Sequence, residues 1–142
     1  MLSYEQALEK LLAAAQPVAE TRTLPLTAAA GRILALAQQS HVAVPPLDNS
    51  AMDGYAVRAA DIAAAGVCLP VSQRIPAGTL GAPLQPGTAA RIFTGAPVPA
   101  GADAVVMQER CADGAVGVVI NHVPRPGDNI RRAGEDIAAG AT

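Results

Sequence analysis

Asp48, Asn49, Ser50 and Asp53 crowd the head of an apolar run in the stretch DNSAMDGYAV. Asp53-Gly54 is a turn dipeptide, and an Asp in a tight loop at the entry to a strand keeps its carboxylate exposed. There it could hold Mg²⁺ or act as a general base. Asp48, Asn49 and Ser50 could equally order the loop by bonding its backbone, and on these residues alone capping and catalysis stand as equals. A second polar turn, TGAPVPAGAD, offers the Thr94 hydroxyl and the unhindered Gly95 amide in a loop stiffened by prolines. Such donors can cradle an oxyanion, although Gly-Ala-Pro is also an ordinary turn. In a third, GDNIRRAGED, Arg131 and Arg132 stand between Asp128 and the pair Glu135 and Asp136. Arginine forks beside carboxylates could hold a phosphate and a hard cation; the other reading is a solvated loop with weak surface ion pairs.

These turns need a scaffold, and composition bounds it. A chain of 142 residues, 51% hydrophobic and 15% charged, makes one domain or two small ones sharing a core. Aromatics are only 2%, so Ala, Val, Leu and Ile must fill that core, while 13 Gly and 12 Pro imply short elements and many turns. A net charge of −2 argues against nucleic acid or an anionic membrane as a partner. Lys10 is the single lysine, and the clustered arginines suit planar oxyanion recognition or simply reflect coding bias. Cys68, Cys111, His41 and His122 are isolated, which excludes a zinc spacing. Free thiols without a signal peptide point to the cytoplasm, and no apolar run approaches the ~20 residues of a membrane span.

Ser3 and Gln6 form a capping box ahead of Tyr4, Leu8, Leu11, Leu12 and Ala15 at helical spacing, with Pro17 ending the helix. After an extended piece over 21–26, a second helix is expected over 27–39, with Thr27 as N-cap, Ile33, Leu34 and Leu36 as its apolar residues, and Gly31 costing it about 1 kcal/mol. Pro45 and Pro46 force extended chain. Beyond them YAV, VCLPVSQRI and AARIF read as strands, AADIAAAG as one or two helical turns, and 76–87 as turns. DAVVMQE and AVGVVINHV read as two strands joined around Asp113-Gly114, with a further turn at Pro126-Gly127. The chain ends at EDIAAGAT like a domain broken off mid-element, so a fragment of something longer is expected.

Taken together, PPLDNSAMDGYAVRAADI, RIFTGAPVPAGADAVVMQE and NIRRAGEDI, preceded by GRILA, resemble the N-terminal region of the molybdopterin molybdenumtransferases. This is the MoeA-like family, to which the gephyrin E domain is related, and the resemblance covers essentially the whole chain. It implies an enzyme that inserts molybdate into adenylylated molybdopterin, with Mg²⁺ and release of AMP. It also implies an elongated homodimer whose active site lies between this region of one protomer and a molybdopterin-binding α/β domain of the other. Its partners would be molybdopterin-adenylate and the adenylyltransferase that supplies it. Carried over position by position, Asp53, Thr94 and Asp136 become catalytic residues, Arg131, Gly95 and Ser50 binding residues, and Asp53 and Asp136 the Mg²⁺ ligands. The α/β domain is expected to be missing from this chain, so the chain alone is expected to be incompetent, and Leu47 stands where an aromatic is common. The expected fold is α+β: N-terminal helices plus a β-rich unit with irregular, bent sheets. Residues 1–44 and 136–142 would form a shared unit and 45–135 an insertion. The alternative is a dimerisation or scaffold module that has lost the chemistry; retention of Asp53, Thr94, Arg131 and Asp136 favours the enzyme.

Overall fold

The computed structural model describes residues 2–16 and 18–142. They fall into two compact units, 1–37 and 38–142. In the first, α1 (Tyr4–Ala14) starts at the expected capping box: the Ser3 hydroxyl accepts from the Gln6 amide at 3.3 Å, and the Gln6 side chain accepts from the Ser3 amide at 3.1 Å. Pro17, read as its terminator, lies outside the described residues. The expected second helix does not form. Leu26–Ala28 makes one 3-10 turn with Thr27 inside it, and no helix follows. Gly31 takes φ +76°, a left-handed geometry that ends a helix. A short amphipathic segment also needs a packed apolar face to persist, and Ile33, Leu34 and Leu36 are exposed. The protein is therefore mostly β with a single α-helix among the described residues, not a chain with several N-terminal helices.

The second unit holds the strands. A four-stranded sheet runs in the order β4 (Val71–Ile75), β5 (Ala89–Ile92), β2 (Gly54–Val57), β6 (Ala104–Met107), with only β4–β5 parallel. A three-stranded sheet joins β3 (Val67–Leu69), β8 (Gly117–Ile120) and β7 (Cys111–Gly114). Here the sequence reading is corrected twice. VCLPVSQRI is two strands in different sheets, split at Pro70, whose ring has no N–H for a ladder. The hairpin joining β7 to β8 turns at Ala115 and Val116, with Asp113 and Gly114 paired at the end of β7, while DAVVMQE supplies β6 of the other sheet and a 3-10 turn, Gln108–Arg110. AADIAAAG contributes the 3-10 turn Ala59–Asp61.

Strand alternation sorts the core into two clusters. Val57, Ala89, Ala104 and Val106 face Leu69, Val118 and Ile120 of the smaller sheet, with Ile62 among them. Ala56, Ala90, Ile92 and Val105 face the other way, with Ile75, and are covered by Leu84 and Ala96. Small residues meet at both faces, so the sheets can pack without aromatic filling. A two-stranded pair, β1 (Asn49–Ser50) with β9 (Ile130–Arg131), completes the set. Beside it 40–44 runs along 136–141, with Val44 bridged to Ile137 and Gly140 donating to the Ser40 carbonyl at 2.7 Å.

Candidate functional site

All three polar turns converge on β1. Asn49 pairs with Arg131 and Ser50 with Ile130, which brings the NIRR segment alongside DNS. On the other side Asn49 bridges to Pro97, the Ser50 amide donates to the Ala96 carbonyl at 2.9 Å, and the Gly95 amide donates to the Ser50 carbonyl at 2.8 Å. Residues far apart in the chain thus share one two-residue strand, and each motif is held in place by the other two.

Asp53 projects from the turn between β1 and β2. Its Oδ1 accepts from both the Thr94 amide and the Thr94 hydroxyl, each at 2.8 Å. Those two donors, the backbone one first, hold the carboxyl below its ordinary pKa against a small opposing effect of burial, with a lesser contribution from the positive charge of Arg91. The turn is fixed from behind: the Gln108 amide donates to the Asp53 carbonyl at 3.0 Å, and Arg91 donates from Nη1 to the Gly54 carbonyl at 3.1 Å and from Nη2 to Gln108 Oε1 at 2.6 Å. Gly54 has to be glycine, since a Cβ there would lie 2.0 Å from the Val106 carbonyl oxygen. The anion cradled by the TGAP turn in this chain is therefore the Asp53 carboxylate itself.

The remaining expected residues sit as follows. Ser50 is buried, and its hydroxyl donates to the Met52 carbonyl at 2.6 Å, closing the 50–52 turn. Arg131 is ion-paired to Asp136 and, at 3.3 Å, to Glu135; these carboxylates raise its pKa further, Asp136 first. Arg132 and the Ala133 amide hold Asp48 at 2.6 and 2.8 Å and lower its pKa, the amide having the larger effect. Asn49 Oδ1 is buried with no hydrogen-bond partner. Asp53 and Asp136 lie on different turns with different partners, and among the described residues no group of three or more His, Cys, Asp or Glu could hold a metal ion. The side chains of the described residues thus form no ready-made Mg²⁺ cage. Arg91 and Gln108 were not singled out from sequence; their signal was present only as the conjunction of the RIFTG and VVMQE motifs, which become neighbours through the β2–β5 and β2–β6 pairings.

Residues 2–142 match the family described as the MoeA N-terminal region, domains I and II. The chain belongs to the MoeA family. Among curated relatives of this MoeA N-terminal region, molybdopterin molybdenumtransferase 2 of Mycobacterium tuberculosis is 45% identical over 98% of the chain and 35% of its own length. The molybdopterin molybdenumtransferase of Haemophilus influenzae is 42% identical over 99% of the chain and 35% of its own length. The chain thus spans about a third of the length of the curated relatives it matches. The crystal structure of the molybdopterin biosynthesis moeA protein from Pyrococcus horikoshii OT3 superposes with a TM-score of 0.83 at 35% identity, covering 96% of this chain and 38% of that one. No helix of the described residues is long and apolar enough to cross a membrane.

Proposed function

We propose that this MoeA N-terminal region contributes one wall of the site at which a molybdopterin molybdenumtransferase inserts molybdate into adenylylated molybdopterin with release of AMP. The observation that carries the reading is the clamp of Asp53 by Thr94, set on a strand that all three family motifs share. A carboxylate held ionised and exposed repels molybdate and phosphate, which leaves Asp53 cation-holding or general-base work rather than a direct hold on the anion; its lowered pKa makes it a weak base, so any proton it takes must come from a strongly activated donor. Thr94 fixes which oxygen is engaged, leaving the other edge to face the substrate. Arg131 and Asp136 neutralise one another, so their part is to order the turn beside the site until a ligand competes for the guanidinium. A divalent cation here would draw oxygen ligands from outside this chain as well as from Asp53 or Asp136.

The reading extends to a homodimer whose second protomer completes the site; the exposed Leu8, Leu11, Leu12, Ile33 and Leu34 of the first unit support it. The test is Asp53→Asn in the full-length protein that carries this region, assayed for finished molybdenum cofactor from adenylylated molybdopterin. A loss of about 100-fold or more is expected for a general base; undiminished production would overturn the assignment. In the same assay the chain of 142 residues alone is expected to release no AMP.

A further inference from the structure

The smaller sheet ends in a strand edge that none of the described residues pairs with. β7 is an outer strand of the order β3-β8-β7. The Asn121 amide donates to the Arg110 carbonyl at 2.9 Å, and the same register sets Ala112 opposite Val119 and Gly114 opposite Gly117. Antiparallel strands alternate bonded and non-bonded pairs, so the peptide groups of 110, 112 and 114 face β8 and those of 111 and 113 face outward. The Cys111 amide is taken by the Gln108 carbonyl. The Asp113 amide, the Asp113 carbonyl and the Cys111 carbonyl remain, three groups in line with no partner among the described residues.

A groove of about 420 Å³ runs beside this edge, lined by Cys111, Ala112 and Asp113 and by Tyr55, Arg91 and Gln108. The side chains of Cys111 and Asp113 leave β7 on the same face as Ile120 and Val118 opposite them, the face turned to the larger sheet. A strand added beside β7 would therefore send alternate side chains into the groove. Its charge is divided. Arg91, which holds the Gly54 carbonyl of the Asp53 turn, has no carboxylate within ion-pair distance among the described residues. Burial pushes the Cys111 thiol up to about 11 while the positive charge of Arg91 opposes this, which puts Arg91 near the Cys111 end of the edge. Asp113 marks the other end. Glu109 accepts from Gln108 Nε2 at 3.3 Å and leaves the rim acidic on balance, so a run of acids would be repelled.

A second copy of β7 fits this edge poorly. A two-fold axis through Ala112 sets Cys111 opposite Asp113, and the occupied Cys111 amide then leaves one bond per pair. An axis through Asp113 sets two carboxylates directly opposite, which is unfavourable.

We propose that β7 is a docking edge for an extended peptide segment of a partner protein carrying Lys-x-Glu, with its Lys opposite Asp113 and its Glu opposite Cys111, within reach of Arg91. The segment runs antiparallel to β7, as in every other pairing of this sheet. Its Lys exchanges both backbone bonds with Asp113, and its Glu amide donates to the Cys111 carbonyl. Two residues apart, the base and the acid share one face about 7 Å from one another. Nothing here rests on the transferase reading.

The test is an NMR titration of the 142-residue chain with the blocked peptide acetyl-Thr-Lys-Val-Glu-Thr-amide at constant ionic strength. Saturable shifts are expected at 111–113, Tyr55 and Arg91, with a Kd on the order of 1 mM. Methylating the peptide's Lys amide nitrogen removes its bond to the Asp113 carbonyl, and exchanging its Lys and Glu sets like charges together; each should weaken binding about tenfold. Asp113→Lys, at an exposed position, should instead prefer acetyl-Thr-Glu-Val-Glu-Thr-amide about tenfold over the first peptide. Equal binding of the methylated or exchanged peptide, shifts centred on Leu47 and Leu80, or no shift at about 10 mM peptide would overturn the proposal. So would broadening at 111–113 that grows with protein concentration in the absence of peptide, the mark of a second copy at this edge.

Discussion

Asp53 and Thr94 show how much of a site can reside in one side-chain contact. The carboxylate has two donors on a single oxygen, from the same threonine. Thr94→Val keeps the backbone donor and removes the hydroxyl, so the Asp53 pKa should rise toward the ordinary carboxylate value without reaching it. Carbon-detected NMR titration of the Asp53 carboxyl reads this directly; an unmoved midpoint would show that the hydroxyl does not hold the charge. The sign for stability follows. The folded pKa of Asp53 is depressed, so its contribution is present above the unfolded carboxylate pKa and is lost as pH falls through the folded value. Asp48, depressed by the Ala133 amide and Arg132, should lose its hold over the same acidic window. Both carboxylates bind motifs together, so acid should loosen the site before the core.

At the scale of elements, the site depends on β2 lying against β6 without a side chain between them. Gly54→Ala would drive a methyl into the Val106 carbonyl, a backbone atom that cannot swing aside. Overpacking against backbone costs about 3 kcal/mol or more when a strand must shift. Gly54 also carries the carbonyl that Arg91 holds, so the damage should reach the Asp53 turn. Thermal unfolding of Gly54→Ala is expected to show a fall in Tm of more than about 8 °C, and its NMR spectrum should lose the downfield signature of the Thr94 amide. A variant as stable as the parent would mean that β2 and β6 can part at little cost. Gly95 differs: its φ of +80° demands glycine by backbone strain, with no atom within 4 Å of a Cβ.

At the scale of the whole molecule, both core clusters and every strand of the described residues lie in 38–142, whereas the described residues before 38 bury no side chain fully. A chain of 38–142 should therefore fold alone, with Asp53 and Thr94 titrating as in the parent. Circular dichroism and the NMR spectrum check this, and collapse of the truncated chain would show that the first unit is part of the core. We propose the exposed Leu8, Leu11, Leu12, Ile33 and Leu34 as the surface of the homodimer. Sedimentation equilibrium should find 38–142 monomeric and the 142-residue chain self-associating; a strictly monomeric 142-residue chain at high concentration would remove this segment as the interface.

The sequence determined the family and the contents of each motif. DNSAMDG, TGAP and NIRRAGED are local: turn residues declare themselves through their own backbone preferences, and the Ser3–Gln6 capping box is complete within four positions. The strand stretches were legible from β-branched content, but their assignment to sheets was not, because Pro70 sends neighbouring strands to different sheets and the β6–β7 break carries no Gly or Pro to announce it. The helix expected over 27–39 failed for the opposite reason: its periodicity was real, yet Ile33 and Leu34 stay exposed, and a short helix without a packed apolar face does not persist. Which residues share the site was decided only by tertiary structure. Pairing is a long-range contact whose partners leave no mark on one another in a single chain: the two-residue strand at Asn49–Ser50 placed Thr94 on Asp53 and Arg131 beside Asn49, and the β2–β5 pairing set Arg91 behind the turn.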